Sequence, residues 1–214
     1  MQPKLKICGM KDPENIQEVV ALSPDFLGFI FWEPSLRFCD LKTLPNIPKT
    51  IQKVGVFVNP GLMEVFLMAK KKQLDYVQLH GKEKPEFCKK LKKLNIKIIK
   101  AFSVDETFDF KIMKKYSDVV DYFLLDTKGK NPGGNGVTFD WNLLEQYPYD
   151  KPYFLSGGIG LEQMNQLEAF LKTKAAQHCF ALDINSRFET APGIKNTVQL
   201  KQFQQQINTF KNEI

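Results

Sequence analysis

Cys8 closes a short apolar stretch, LKIC at residues 5–8, and Gly9 follows it at once. Leu5 and Ile7 read as a strand entering a core, and the glycine frees the backbone to turn, so the thiol is left at the strand's mouth. A thiol there can accept a proton once a positive or hydrogen-bonding neighbourhood favours the thiolate. It can equally pack as a small hydrophobe. Asp126 ends a second apolar run, YFLLD at 122–126, where a carboxyl emerging between apolar walls can donate a proton, cap a helix or pair with a lysine. SGGIG at 156–160 follows a third run, and NPGGNGVTFDW at 131–141 adds another glycine cluster. Adjacent glycines let main-chain amides approach an anion, and a helix start adds its positive end, so these loops and the polar DINSRF at 183–188 suggest a phosphate site. A carboxyl and a thiol facing one another over a phosphate suffice for proton transfer at carbon next to a carbonyl or imine. Such chemistry needs no metal and no redox cofactor.

The elements that must position these groups recur as repeated βα units. Runs rich in Val, Ile, Leu and Phe fall at 5–8, 26–31, 53–58, 76–80, 96–102, 122–126, 153–157 and 179–183. They are nearly continuous in apolar residues, as parallel strands buried on both faces are. Between them, 13–22, 60–73, 84–94, 107–116, 139–146, 161–171 and 196–210 carry helical periodicity. Asp12, Asn59 and Asn196 stand as capping residues ahead of three of these starts. Pro45 and Pro48 follow the second strand, so the second helix should be short or replaced by loop. This pattern in 214 residues predicts a closed (β/α)₈ barrel forming a single domain over 1–214. A barrel keeps its active site at the C-terminal ends of its strands, and Cys8, Glu33, Arg37, Asn59, Gln78, His80, Asp126, Ser156 and Asp183 all fall there.

Composition removes several classes of function. A net charge of +6 could suit nucleic acid, but its lysines lie on amphipathic helices, and the arginines are only Arg37 and Arg187. A positive balance also draws in an anionic small substrate. Cys8, Cys39, Cys88 and Cys179 form no C-x-x-C pair, and the N-terminal stretch has no apolar signal core, so a reducing cytoplasm is expected. His80 and His178 belong to opposite ends of the barrel and cannot share a metal ion. Neither a nucleotide-binding glycine motif nor a G-x-S-x-G elbow is present.

The sequence resembles the phosphoribosylanthranilate isomerase family of the tryptophan pathway. The matching stretches are KICGM at 6–10, FLGFIFWEPSLR at 26–37, VGVFVN at 54–59, VQLHG at 77–81, LLDT at 124–127, GGNGVTFDW at 133–141, LSGGI at 155–159 and ALDINSRFE with PGIKN within 181–196. The resemblance implies a (β/α)₈ barrel catalysing the Amadori rearrangement of N-(5-phosphoribosyl)anthranilate, with Cys8 as general base and Asp126 as general acid. It also implies that Arg37 meets the anthranilate carboxylate and that Gln78, His80 and Asp183 line the sugar. Gly134, Gly136, Gly157, Gly158, Asn185 and Ser186 would then cradle the phosphate. Two departures stand out: Leu36 replaces the proline usual before the arginine, and Arg187 replaces the glycine of the family's Asp-x-Ser-Ser-Gly-x-Glu. Arg187 could add charge to the phosphate site or point to solvent. The competing readings are another phosphosugar barrel enzyme and an inactive phosphate-binding barrel; retention of both Cys8 and Asp126 favours the isomerase. The expected partner is a small phosphorylated substrate, with no nucleic acid and no membrane, bound by a monomer.

Overall fold

The structure is a computed structural model that describes residues 3–127 and 141–210. Eight parallel strands close into a barrel in chain order: β1 Lys4–Ile7, β2 Phe26–Ile30, β3 Gln52–Phe57, β4 Tyr76–Leu79, β5 Ile98–Val104, β6 Tyr122–Thr127, β7 Tyr153–Ser156 and β8 Cys179–Ile184. Each strand expected from sequence is present, shifted at its ends by a residue or two. β8 pairs with β1, so β6 and β1 are separated by β7 and β8 around the ring.

The outer layer is less regular than the sequence suggests. Helices α1 Pro13–Ala21, α2 Leu62–Lys72, α3 Pro85–Lys93, α4 Met164–Leu171 and α5 Thr197–Thr209 form as expected. Phe110–Tyr116 and Trp141–Gln146 instead wind as 3₁₀ helices. Their buried residues fall three apart, Phe110 with Met113 and Trp141 with Leu144, with no apolar partner at the fourth position. Three residues per turn aligns that spacing on one face, which favours the tighter coil. No helix forms between β2 and β3, in keeping with the two prolines there.

Two of the three capping assignments hold. Asp12 accepts the Asn15 N–H and Asn196 the Gln199 N–H. Asn59 does not cap α2. Gly61 is the N-cap, with its N–H satisfied by the Glu64 carboxylate, while Asn59 sits at a left-handed φ of 49° and accepts the Lys82 N–H. Pro60 delays the helix, and the asparagine ties the turn after β3 to the turn after β4.

Alternation along the strands divides the core in two. Leu5, Ile7, Leu27, Phe29, Phe123, Leu125, Leu155 and Leu182 face outward into the layer shared with the helices. Phe26, Val54, Ile99, Ala101, Leu124, Phe154 and Ala181 fill the barrel interior. Below them Tyr122 stacks on Phe180, ring centres 4.6 Å apart, and Phe154 meets Phe26 edge to face at 5.3 Å. The interior is therefore a packed plug whose upper end alone is open to chemistry.

Candidate active site

The ladder registers set a polar row across the top of that plug. Lys6 pairs with Asp183, Asp183 with Ser156, Ser156 with Asp126 and Asp126 with Ser103. All point inward, because each stands two residues beyond an interior position on its own strand or beside such a residue. Cys8 lies two residues beyond Lys6 on the same face, just past the end of β1. Its N–H still donates to the Ile184 carbonyl at 2.9 Å, which fixes the residue against β8.

Above fully buried Lys6, one cleft of about 230 Å³ brings together Cys8, Gln78, His80, Asp126, Ser156 and Asp183. Gly157, Gly158, Asn185, Ser186 and Arg187 form part of its rim. A wider groove of about 550 Å³ at the opposite end touches Lys4, Asp25 and Lys201. Asp25 there accepts the Leu5 N–H, which ties the start of β1 to β2.

The carboxyl side is organised by β4. Gln78 Nε2 donates to His80 Nδ1 at 2.9 Å, which leaves the proton on His80 Nε2, 3.3 Å from Asp126 Oδ2. This chain orients the imidazole and occupies one Asp126 oxygen. Gln78 Oε1 is buried with no hydrogen-bond partner among the described residues, an acceptor that a hydroxyl in the cleft would satisfy.

The thiol side holds a group that sequence reasoning missed. Lys6 is fully buried and donates to both Asp183 carboxylate oxygens at 2.8 Å. Burial works against its charge, but Asp183 and Cys8 outweigh burial and hold the ammonium above its ordinary value. Burial pushes the Cys8 thiol up, Lys6 and Lys195 pull it down, and Asp183 pushes it further up. The signal was present in KLKIC, where period-two spacing puts Lys4, Lys6 and Cys8 on one face. Asp183, expected to face the sugar, reaches the cleft but is chiefly engaged by this lysine.

Glycines on either side of Cys8 have distinct tasks. A Cβ on Gly28 would lie 2.6 Å from Cys8 Sγ, so β2 leaves the space that the sulfur occupies. Gly9 adopts φ +80°, and its missing Cβ admits Asn185 and Arg37. Thus Gly28 keeps room for the thiol, and Gly9 makes the turn.

Arg37 reaches the same side of the barrel from the loop after β2. Its Nε donates to Glu189 at 2.9 Å and its Nη2 at 2.6 Å, while Nη1 is not engaged by that carboxylate. Glu189 belongs to a small hairpin of β9 Glu189–Ala191 and β10 Ile194–Lys195, and it also receives buried Lys195 at 2.6 Å. Lys195 donates in turn to Asn185 Oδ1 at 2.7 Å, which couples the arginine clamp to the loop after β8. Around Leu36, Lys11 donates to its carbonyl at 3.0 Å, and the Arg37 N–H donates to Ser35 Oγ.

At the rim, Gly157 and Gly158 take φ of 102° and 66°, and a Cβ on Gly158 would meet nothing within 4 Å. Gly158 is exposed, which leaves room for an anion beside this turn. Arg187 lines the cleft half-exposed and comes within 4.0 Å of Glu162. Gly134 and Gly136 lie outside the described residues. Glu33 is exposed, and neither it nor Asn59 lines the cleft.

The family described as N-(5′phosphoribosyl)anthranilate (PRA) isomerase matches residues 5–206. An N-(5′-phosphoribosyl)anthranilate isomerase of Parabacteroides distasonis is 41% identical over 95% of this chain and 92% of its own length. A solved phosphoribosyl anthranilate isomerase in complex with reduced 1-(o-carboxyphenylamino)-1-deoxyribulose 5-phosphate superimposes with a TM-score of 0.75 at 29% identity, over 97% of this chain and 99% of that one. Monomers generated from the dimeric Thermotoga maritima enzyme give a TM-score of 0.75 at 28% identity, over 96% and 98% of the two chains. With a barrel, a thiol–carboxyl cleft and these matches in agreement, the chain belongs to the N-(5′-phosphoribosyl)anthranilate isomerase family.

Proposed function

We propose that Cys8 and Asp126 are the general base and general acid of an Amadori isomerisation that converts N-(5′-phosphoribosyl)anthranilate to 1-(2-carboxyphenylamino)-1-deoxy-D-ribulose 5-phosphate. Family membership supplies the reaction. The observation that carries the roles is that a thiol from β1 and a carboxyl from β6 open on the same cleft beside a glycine rim. His80 engages Asp126 Oδ2, so Oδ1 turns to the substrate and protonates the furanose ring oxygen. The ring opens to a Schiff base, Cys8 removes the C2′ proton as thiolate, and the resulting enolamine tautomerises to the ketone. One proton enters and one leaves, which balances an isomerisation.

The remaining groups bind. Arg37, oriented by Glu189, offers Nη1 to the anthranilate carboxylate. Gln78 Oε1 and His80 meet sugar hydroxyls, and Asp183 borders them through the face not taken by Lys6. Gly157 and Gly158 amides, with Asn185 and Ser186, take the phosphate, and Arg187 at the rim adds charge. The cleft acts within one catalytic barrel that spans the chain, as a cytoplasmic monomer. In support, the exposed large apolar side chains gather no more than two to an element, Trp32 with Leu36 after β2 and Met63 with Leu67 on α2, while Ile112 and Val198 stand singly. No helix among the described residues is long and apolar enough to cross a membrane.

The test follows loss of phosphoribosylanthranilate fluorescence, with substrate formed in place from anthranilate and phosphoribosyl pyrophosphate. Wild type should be fast, and Cys8→Ser and Asp126→Asn should each fall by about 10³-fold or more. Wild type at the spontaneous background rate would reject the reaction. An active Cys8→Ser or Asp126→Asn enzyme would reject that residue's role.

A further inference from the structure

A buried ion pair sits directly beneath the thiol, where an apolar pair would pack at lower cost. Taking an ammonium and a carboxylate out of water is expensive, and such pairs add little net stability over well-packed hydrophobic residues. The interior row one step below is apolar at Leu124, Phe154 and Ala181, so the barrel readily accepts such packing. Lys6 is nonetheless held there with no exposure, bonded to both oxygens of Asp183, its register partner on β8. Cys8 stands two residues further along the same inward face of β1, so this buried charge neighbours the thiol and favours its thiolate.

We propose that Lys6 is a positioning residue for the base: its ammonium, anchored on the Asp183 carboxylate, stabilises the thiolate in which Cys8 can accept a proton. The inference rests on the reading of Cys8 as the base. Lys6 keeps its charge throughout, and no proton passes through it. The resting thiol releases its proton to solvent, and the thiolate then takes the one from the substrate.

The other charged groups facing the sulfur do not substitute for it. Asp183 on β8 opposes the thiolate, and Lys195 on β10 and Arg37 after β2 favour it. Lys195 and Arg37 share Glu189, whose single carboxylate offsets one of their two charges, and both reach the site from outside β1. His80 and Asp126 face Asp183 across the cleft. Lys6 shares the strand and inward face of Cys8 and opposes burial, the largest influence on the thiol, more than any other cation does, so its loss would leave that influence less opposed.

The experiment measures the rate of Cys8 alkylation by iodoacetamide against pH in substrate-free enzyme, mapped by peptide, beside the pH profile of kcat/KM. Lys6→Met should move the alkylation midpoint up by about one pH unit or more, with the rising limb of kcat/KM moving alongside. Lys6→Arg should restore much of the difference. Asp183→Asn keeps the lysine and removes the opposing charge, so its alkylation midpoint should move down. An unmoved midpoint in a folded Lys6→Met enzyme overturns the proposal, even if activity falls. Should Lys6→Met fail to fold, Asp183→Asn decides: a downward shift supports the role, and no shift or an upward one rejects it. Full activity in Cys8→Ser would remove the base itself, and the positioning role with it, whatever the alkylation profile shows.

Discussion

Two neighbouring rows of one barrel interior are built from the same strands yet do opposite work. Ala101, Leu124, Phe154 and Ala181 form the lower row, and Ser103, Asp126, Ser156 and Asp183 stand two residues further along β5 to β8. The lower row is sealed by aromatic contacts and fills the barrel. The upper row is polar and opens on the cleft, and Lys6 joins it from β1. A single step of the pleat therefore separates packing from chemistry. The lesson is that the barrel interior separates its tasks: its desolvated charge is confined to the upper row, while the row below supplies apolar burial.

Substitutions in the two rows should separate cleanly. Asp126→Asn, in the upper row, should lower kcat/KM by about 10³-fold or more, equivalent to about 4 kcal/mol of transition-state stabilisation. Its urea midpoint should stay close to wild type, which equilibrium unfolding would read. Phe154→Ala, in the lower row, should cost about 3–5 kcal/mol of stability. The fraction still folded should turn over substrate at near the normal rate. A common loss of both properties in both variants would erase the distinction.

Gly28→Ala sharpens the comparison at the boundary. The added methyl would crowd Cys8 Sγ, whose position it approaches to 2.6 Å, so the sulfur must move. Misplacement of about 1 Å can cost about 10²-fold, and that loss should appear in kcat more than in KM. Normal kcat in this variant would mean that the thiol has room to spare.

A smaller effect is expected outside the rows, at Glu189. Burial opposes its charge, but Arg37 and Lys195 outweigh burial and hold its carboxyl below the ordinary value of 4.5. A carboxyl depressed in the folded state adds stability above its unfolded value and loses it as pH falls through the lowered folded value. Glu189→Gln should therefore weaken the protein at neutral pH by about 1 kcal/mol or more, and the gap from wild type should narrow on acidification below about pH 4. Urea unfolding as a function of pH would show it. A gap constant with pH would mean that the clamp holds by shape rather than charge.

The strands were legible because parallel strands buried on both faces must read as apolar runs, and the barrel rule then located Cys8, Asp126, Gln78, His80 and Asp183 at one end. What stayed hidden depended on contacts between distant segments. The Lys6–Asp183 pair joins the first and last strands, and the Arg37–Glu189–Lys195 clamp joins the loop after β2 to a hairpin after β8. Neither leaves a local pattern beyond a lysine inside an apolar strand. The 3₁₀ helices were missed for a local reason, since spacing of three and spacing of three and four look alike over a single turn. Asn59 misled because asparagine before proline serves a turn as well as it serves a cap.

The most direct measurement compares two residues of β6 that are neighbours on one face, Asp126→Asn and Leu124→Ala, by kcat/KM and by urea unfolding of the same preparations. The account predicts a large catalytic loss with stability retained for the first. For the second it predicts a stability loss of about 2–5 kcal/mol with catalysis retained in the folded fraction. An active Asp126→Asn enzyme, or activity that falls in proportion to stability in both, would contradict it.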